Sequence, residues 1–326
     1  MKKICVTGAN GFIGKSICRS LTKLGIFVRG AVRSLNSNSN ITNYESVPVG
    51  DISNNPDWSK AISGCECIIH SAGIADRIND FNSESEKAFQ KVNVDATKKL
   101  ANQAFDAGVK RLIFLSSIKV NGERTEKTFQ KQNLKNRYKI AFSHKDDPLP
   151  EDDYAKSKLE AENILLDISL RTGLEIVILR LPLVYGYGVK GNLAKLIDIT
   201  RMGIPLPFSS IKNHRSLIGL DNLNDIILKC IDQPIANKKI FLVSDGKDLS
   251  TPELIKVIAS SMGKKANLFP VPLFLLKIPA FIFGYRYQIN RLVESLRVDN
   301  TYTKETLNWT PRFSVEEGIR KMIKEK

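Results

Sequence analysis

Short apolar runs alternate with amphipathic segments from the N-terminus to about residue 180. Residues 3–6 form a partly β-branched run that stops at Gly8, and residues 111–115 form another that ends in two serines. Such runs predict short buried strands. Apolar residues at helical spacing lie between them, as at Phe89, Val92, Ala96, Leu100 and Ala104. Strands that alternate with helices predict an α/β fold with a parallel, doubly wound sheet of the Rossmann type.

The chain loses this alternation from residue 187 onwards. We therefore predict a first domain at residues 1–186, rejoined by a segment near 214–245. A smaller α/β domain, at 187–213 and 246–326, is expected to bind substrate.

Three further segments have unusual composition. Residues 34–43 are rich in Ser and Asn and predict a loop, and the polar, basic residues 123–153 have a length typical of a lid. Residues 268–283 are strongly apolar but are interrupted by prolines, so they are too short and broken for a membrane span. We expect this stretch to pack in the core. The alternative is a surface that contacts a membrane or a protein partner.

A glycine-rich turn with the spacing G-x-x-G-x-x-G follows the first strand and precedes a helix. This is the context of a dinucleotide site, because glycines let backbone N–H groups approach a pyrophosphate and the helix N-terminus adds partial positive charge. The residues predicted to bind a dinucleotide here are Gly8, Asn10, Gly11, Phe12, Ile13 and Gly14.

The end of the second predicted strand bears on which dinucleotide is bound. An acid about 20 residues past the glycine turn binds the ribose 2′-OH of NAD, whereas an arginine suits the 2′-phosphate of NADP. This chain has Val32 and Arg33 there. The pattern favours NADP(H). NAD stays open, since Arg33 is also explained as a solvated surface charge.

The strand at 111–115 delivers Ser116 and Ser117 to its carboxyl end, where ligands bind in open α/β sheets. Residues 154–170 predict a helix that places Tyr154 and Lys158 on one face, at i and i+4. A nearby ammonium favours the phenolate, so such a tyrosine exchanges a proton with a substrate oxygen more readily. Ser117 would hydrogen-bond the same oxygen, and Lys158 would also hold the nicotinamide ribose. The alternative for Tyr154 and Lys158 is a surface helix pair of little energetic weight.

With these motifs in this order, the chain resembles the extended short-chain dehydrogenases/reductases of the nucleotide-sugar epimerase/dehydratase family. The resemblance covers nearly the whole chain, including the strand at 179–186, the segment at 214–218 and the closing Trp309-Thr310-Pro311. It implies that Ser117 is the catalytic hydroxyl, and that Asn192 and Arg215 hold the substrate diphosphate. The further cofactor contacts that it implies are Asp51, Ile52, Ser71, Ala72, Gly73, Asn93, Leu181 and Pro182.

Two departures from the family pattern narrow the reaction. Sugar 4,6-dehydratases of the family carry an Asp-Glu pair where this chain has Ile118 and Lys119, so dehydration is not expected. UDP-galactose 4-epimerases carry the strand-two acid that Val32 replaces. The run at 115–122 is most similar to a bacterial polysaccharide subgroup that is labelled UDP-glucose 4-epimerase. That subgroup includes reductases that form UDP-N-acetylquinovosamine.

The resemblance therefore implies an NAD(P)-dependent oxidoreductase that acts at C4 of a UDP-hexose, in the synthesis of surface-polysaccharide or O-antigen precursors. The first specific hypothesis is a UDP-4-keto-6-deoxy-sugar 4-reductase. The second is a UDP-glucose or UDP-N-acetylglucosamine 4-epimerase. A third, a non-catalytic nucleotide sensor or scaffold of the same fold, does not explain Ser117, Tyr154 and Lys158.

Composition excludes some classes of protein. The net charge is +15, but Lys and Arg are spread along the chain rather than clustered with aromatics, so no nucleic-acid partner is expected. Five scattered cysteines predict no disulfide framework, and Cys65 and Cys67 lack a partner pair for a metal site. No leader pattern precedes the first strand, so we expect a cytoplasmic enzyme. The family resemblance makes a homodimer the expected assembly.

Overall fold

The computed structural model describes residues 2–35, 44–75, 83–125, 141–282 and 286–325. Residues 36–43 of the predicted loop and 126–140 of the predicted lid lie outside this part of the chain.

Seven parallel strands form the main sheet, in the order β3-β2-β1-β4-β5-β6-β9. A second, two-stranded parallel sheet pairs β7 with β8. The strand order reverses between β1 and β4, so ligands are expected at the carboxyl ends of these two strands. The strands are β1 Lys3–Thr7, β2 Phe27–Val32, β3 Glu45–Pro48, β4 Cys67–His70, β5 Arg111–Ser117, β6 Glu175–Leu181, β7 Leu183–Tyr185, β8 Leu217–Gly219 and β9 Lys239–Leu242.

Helices cover both faces of the main sheet, which confirms the predicted doubly wound fold. They are α1 Phe12–Lys23, α2 Ser59–Ile62, α3 Ser83–Phe89, α4 Ala96–Asp106, α5 Asp153–Thr172, α6 Gly191–Met202, α7 Leu220–Asp232, α8 Thr251–Ser261, α9 Leu273–Ile282, α10 Arg286–Val293, α11 Thr301–Leu307 and α12 Val315–Lys324. A π-helical segment, Gln90–Asp95, joins α3 to α4.

Alternate residues of each strand pack into two separate apolar layers. In β1, Ile4 joins Ile17 and Leu21 of α1 on one face, and Cys5 joins Leu100 of α4 on the other. Because both faces are covered, nearly all residues of the central strands β1, β4, β5 and β6 are buried, as expected for a parallel sheet. The five positions predicted to face the sheet, Phe89, Val92, Ala96, Leu100 and Ala104, are all buried.

The C-terminal elements have an apolar cluster of their own, formed by side chains of β7, β8, α6, α8 and α12. At its centre the Tyr185 hydroxyl donates to Asp245 Oδ2 at 2.6 Å, and Asn222 donates to the other oxygen at 2.7 Å. A Cβ at Gly318 would overlap the Tyr185 hydroxyl, so α12 packs this closely only with glycine there. This buried network fixes β7 against α7 and α12.

The expectation that residues 268–283 pack in the core is wrong for much of the stretch. Leu268 packs against the C-terminal cluster, but the described side chains of α9 lie on the surface, with Phe274 63% exposed. Phe269, Leu275 and Ile278 are exposed as well. Prolines at 270, 272 and 279 interrupt the segment, and proline limits regular helix and strand structure. Among the described residues, no helix has the length and apolarity needed to cross a membrane.

All five cysteines are buried with free thiols. Burial raises the pKa of Cys67 to about 12, so this thiol stays protonated and behaves as a small apolar side chain of β4. In the described part of the chain, no three His, Cys, Asp or Glu side chains are grouped to hold a metal ion, and this includes Cys65 and Cys67.

Candidate active site

The glycine turn between β1 and α1 folds tightly on itself. Gly8 has a φ of +65°, and the Gly11 N–H donates to the Gly8 carbonyl at 2.8 Å. A Cβ at Gly14 would overlap that same carbonyl oxygen. A Cβ at Gly8 would lie 3.0 Å from the backbone of Ala72. Both glycines are therefore needed to bring the start of α1 against the ends of β1 and β4.

The N-terminus of α1 is open to a ligand. Its N-cap residue is Gly11, so no side chain accepts a hydrogen bond from the first N–H groups, and the first turn contains no acidic residue. The first N–H groups of a helix lack partners within the helix, and the helix dipole makes them electropositive. Exposed Asn10 and Gly11 precede half-buried Phe12 and Ile13 at this end. The residues present thus fit the pyrophosphate of a dinucleotide.

The ends of β1 and β4 are tied together beside this turn. Ser71 Oγ donates to the Thr7 carbonyl at 2.6 Å, and the Ala72 N–H donates to Thr7 Oγ1 at 3.1 Å. These bonds hold residues 71–73, which were predicted to contact the cofactor, next to the glycine turn. Thr7 directly precedes the glycine turn, and sequence reasoning assigned it no role of its own.

His70, the last residue of β4, precedes the strand-end turn predicted to contact the cofactor, but sequence reasoning assigned it no role of its own. Its Nδ1 lies 2.7 Å from Thr7 Oγ1, and its Nε2 lies 2.8 Å from Thr97 Oγ1. Burial, with the positive charge of Lys158, lowers the pKa of His70 to about 3. The ring is therefore neutral and links β4 to β1 and α4.

Asn93 lies within the π-helical segment, and its side chain fastens the strand-end segment to α5. Its Nδ2 donates to the Ile74 carbonyl at 3.1 Å and to Ser157 Oγ at 3.0 Å, and its Oδ1 accepts from the Ile74 N–H at 3.0 Å. Single-turn π-bulges are frequent at functional sites. The sequence indicated Asn93 only by resemblance and gave no sign of the π-helical turn.

The opposite side of the turn is where an adenosine would lie. Val32 is 3% exposed and packs in the core, whereas Arg33 is 72% exposed, with its guanidinium 3.9 Å from Asp51 Oδ2. Asp51 accepts from the N–H and hydroxyl of Ser53. Ile52, beside it, is half-buried.

Tyr44 is a residue on this side that sequence reasoning missed. Its ring covers Gly30, where a Cβ would overlap it, and its hydroxyl lies 3.3 Å from Asn10 Oδ1. The ring therefore leans across β2 onto the glycine turn. The sequence signal was Gly30 itself, since a glycine inside a strand often marks a close approach.

The predicted catalytic residues come together where β5 ends and α5 begins. Ser117 is the buried last residue of β5, and half-buried Tyr154 lies in the first turn of α5. The Lys158 ammonium, one turn further along α5, donates to the Leu115 carbonyl at 3.1 Å. It lies 3.5 Å from where a Cβ of Gly73 would be. Lys158 therefore bridges the end of β5 and the predicted cofactor segment.

Burial lowers the pKa of Lys158 to about 8, although the Glu162 carboxylate acts in the opposite direction. Its ammonium also lies 4.5 Å from the centroid of the Phe114 ring. A lysine with a pKa near neutrality gains or loses its charge with small changes of environment.

A fully buried ion pair, Arg180 with Glu162, lies next to Lys158, with Glu162 one helical turn further along α5. Sequence reasoning missed this pair. Arg180 NH2 donates to Glu162 Oε2 at 2.6 Å, and Ser116 Oγ lies 2.5 Å from Glu162 Oε1. The Asn121 side chain accepts from Arg180 NH1 at 2.9 Å. One signal was available, because Tyr154, Lys158 and Glu162 recur at i, i+4 and i+8 on one face of α5.

The remaining predicted residues lie further along the chain. Leu181 and Pro182 are buried at the end of β6, directly after Arg180. Asn192 is exposed in the first turn of α6. Half-buried Arg215 donates from NH1 to the Glu294 carbonyl at 3.0 Å, so part of its guanidinium is committed to the backbone.

Residues 4–243 match the model of the NAD dependent epimerase/dehydratase family. The chain belongs to this family. A UDP-glucose 4-epimerase of Vibrio cholerae is 40% identical to this family member over 321 residues, which cover 98% of the chain and 94% of the relative. The resemblance inferred from the motifs is confirmed. The protein is an enzyme, and its cofactor is a nicotinamide dinucleotide.

Solved structures agree on the fold of this epimerase/dehydratase family member. The UDP-glucuronic acid 4-epimerase of Bacillus cereus, in complex with NAD, has a TM-score of 0.76 at 20% identity, and the match covers 99% of both chains. The UDP-N-acetylglucosamine 4-epimerase of the same organism has a TM-score of 0.77 at 18% identity, covering 100% of this chain and 99% of that one.

Proposed function

We propose that the protein is an NAD(P)-dependent oxidoreductase that acts at C4 of a UDP-hexose in the synthesis of surface-polysaccharide precursors. Support comes from Ser117, Tyr154 and Lys158 at one end of the sheet, beside an open glycine turn. The relative from Vibrio cholerae and the two enzymes from Bacillus cereus are all named for 4-epimerisation of a UDP-sugar.

The roles proposed for the chain's own residues follow from their positions. The open N-terminus of α1 and the backbone of Gly8, Asn10 and Gly11 hold the pyrophosphate. A bound nicotinamide would supply hydride exchange at C4, in one direction for a reduction and in both directions for an epimerisation. Tyr154 donates or accepts the proton of the C4 oxygen, and Ser117 hydrogen-bonds that oxygen. The Lys158 ammonium holds the ribose and favours the Tyr154 phenolate.

The first specific reaction that we propose is reduction of a UDP-4-keto-6-deoxy sugar by NADPH. The observation that carries it is the end of β2, where Val32 is buried and apolar and Arg33 is exposed. No carboxylate is offered to a ribose 2′-OH at Val32, and the exposed Arg33 guanidinium, whose NH2 lies 3.9 Å from Asp51 Oδ2, suits a 2′-phosphate. In this reaction one NADPH is oxidised for each C4 carbonyl reduced, and one proton passes from Tyr154 to the new hydroxyl.

The second candidate is a UDP-glucose or UDP-N-acetylglucosamine 4-epimerase. It is favoured by the 40% identity to the UDP-glucose 4-epimerase of Vibrio cholerae. The same residues would serve, since Tyr154 takes the proton of the C4 hydroxyl first and returns it after the sugar has turned.

One experiment separates the two reactions. The cofactor that copurifies is identified, and the enzyme is then given NADPH with a UDP-4-keto-6-deoxy sugar or, in parallel, UDP-glucose and UDP-N-acetylglucosamine without added cofactor. Loss of absorbance at 340 nm supports the reductase, and new C4 epimers seen by NMR with tightly bound NAD support the epimerase. Neither reaction with any UDP-hexose would contradict the proposed function. Tyr154→Phe is the control that shows which turnover belongs to this site.

We also propose the division into a dinucleotide domain at 1–186 and 214–245 and a substrate domain at 187–213 and 246–326. The position of β9 beside β6 in the main sheet supports the returning segment. The apolar cluster of α6, α8 and α12 supports the second unit, with Tyr185 and Leu217 of the first unit also packed in that cluster. Asn192 and Arg215 are proposed to contact the substrate diphosphate. The homodimer stays a prediction that light scattering would test.

A further inference from the structure

A buried lysine next to the proposed catalytic residues carries charge that the reaction itself does not use. Lys119 follows Ser117 by two residues, in the short 3₁₀ turn Ile118–Val120, and its N–H donates to Ser117 Oγ at 3.3 Å. Its ammonium lies 2.5 Å from Asp152 Oδ2 and 2.6 Å from Glu123 Oε1. It also lies 5.9 Å from the centroid of the Tyr154 ring.

Asp152 connects this lysine to the helix that carries Tyr154. It is the N-cap of α5, and its Oδ1 accepts from the Ala155 N–H at 2.7 Å while Oδ2 binds Lys119. One carboxylate therefore accepts hydrogen bonds both from the first turn of α5 and from the lysine that follows β5. An N-cap aspartate stabilises a helix start by satisfying an N–H that has no partner within the helix.

The charges of this cluster are nearly balanced. Burial raises the pKa of Asp152, but the Lys119 charge and hydrogen bonds from Lys119, Ala155 and Glu123 outweigh it and lower the pKa overall. For Glu123, burial raises the pKa, and the Lys119 charge only partly opposes this. Lys119 and Asp152 thus form the charged pair, with Glu123 as the carboxyl that more readily holds a proton.

We propose that Lys119 is a positioning residue, whose ion pair with Asp152 fixes the first turn of α5 against the end of β5 and so sets Tyr154 relative to Ser117. This inference rests on the proposed roles of Ser117 and Tyr154. Lys119 is buried and Asp152 is half-buried, so a Lys119 ammonium that loses Asp152 stays largely desolvated, which is costly. A misplacement of about 1 Å between reacting groups costs on the order of 100-fold in rate.

The same helix offers a matched control. Lys156 pairs with Asp153 at 3.1 Å, but its side chain is 62% exposed, so the pair lies in solvent and does not connect α5 to β5. Exposed pairs contribute little to stability. Lys156→Met likewise removes one lysine charge that is paired with an aspartate at the start of α5.

The kinetic experiment compares Lys119→Met, Asp152→Asn, the double variant and Lys156→Met. Asn at 152 keeps the shape, but its amide places an NH2 donor where one of the two carboxylate oxygens now accepts from Ala155 or Lys119. We expect kcat to fall about 10- to 100-fold in both single variants, with the sugar KM and cofactor Kd within about twofold of wild type. The double variant should be no worse than the singles, Lys119→Arg should recover part of kcat, and Lys156→Met should match wild type.

A second readout needs no substrate. Amide hydrogen exchange of residues 152–158 in the holoenzyme should be faster in Lys119→Met and unchanged in Lys156→Met. Unchanged exchange with unchanged kcat, or effects that simply add in the double variant, would overturn the role of Lys119. Increases in the sugar KM and the cofactor Kd as large as the decrease in kcat would also overturn the role of Lys119. If exchange changes as expected but wild-type enzyme acts on no UDP-hexose, the proposed function fails and the link between β5 and α5 stands.

Discussion

The two halves of the site lie along one edge of the sheet, but one consists mainly of backbone groups and the other of side chains. The glycine turn at the end of β1 is made of backbone, since Gly8 and Gly14 permit close contacts and the N-terminus of α1 supplies N–H groups. The half at β5 and α5 is made of buried charged side chains, among them Lys119, Lys158 and Glu162.

This difference determines how each half fails. A backbone site is damaged by added atoms, whatever their charge, because there is no space for a Cβ. A side-chain site keeps its shape when one group is replaced by an isostere, yet loses its chemistry. The following predictions separate these two kinds of failure, in order of decreasing effect.

Tyr154→Phe should have the largest effect, on the side-chain half alone. The change removes the phenolic proton and keeps the ring beside Phe89, 6.0 Å away between centroids. Turnover should fall on the order of 10²–10⁴-fold, with cofactor affinity nearly unchanged, because a general acid–base is lost. Steady-state kinetics with a cofactor titration measure both, and unchanged turnover would remove Tyr154 from the mechanism.

Gly11→Val should damage the backbone half in the opposite way. Its Cβ would lie 3.0 Å from the Gly8 carbonyl oxygen, a contact that requires a shift of only a few tenths of an ångström, and the added branches would stand in the turn where we propose that the pyrophosphate binds. Cofactor affinity should fall by about 100-fold, comparable to losing two charge-assisted hydrogen bonds. The melting temperature of the free protein should change little. Gly14→Ala is the contrast, since its Cβ meets backbone and should lower the melting temperature instead.

Arg33→Ala tests which dinucleotide the backbone half takes. If the exposed guanidinium grips a 2′-phosphate, the variant should lose about tenfold in affinity for NADPH and little for NADH, as expected for one charge-assisted interaction. Equal losses for both dinucleotides, with NAD bound as purified, would favour the epimerase. The reverse change, Val32→Asp, is less informative, because Val32 is buried and a carboxylate there also costs stability.

The smallest effect should be a pH dependence from Lys158. Its pKa is lowered by burial to about 8, so the ammonium is present below that pH and is lost as the pH rises through it. If the charged form holds the ribose, cofactor affinity should be constant below pH 7 and about fourfold weaker at pH 8.5. Isothermal titration between pH 6 and 9.5 checks the direction. Affinity that stays level to pH 9.5 would show that the charge of Lys158 does not contribute.

Local rules were sufficient for the features that depend on neighbours in the chain. The spacing of Gly8, Gly11 and Gly14 determines a turn whose steric demand is the same in any fold. The i, i+4 spacing of Tyr154 and Lys158 determines that they share a helix face. The alternation of apolar runs was likewise enough for the parallel sheet, since strands covered on both faces must be apolar throughout.

Tertiary structure alone decided which charges meet. Lys119 pairs with Asp152, 33 residues away, and Glu162 pairs with Arg180, 18 residues away. No helix or strand period encodes these sequence separations. The burial of residues 268–283 also depends on tertiary packing. Apolar composition favoured burial, but whether a neighbouring element covers a helix face depends on how the distant segments pack, and here α9 remains on the surface. The sequence by itself thus determined the backbone half of the site and the presence of its reactive groups. Their electrostatic environment exists only once β5, β6 and α5 are packed together, because desolvation and charge pairing depend on distance in space rather than along the chain.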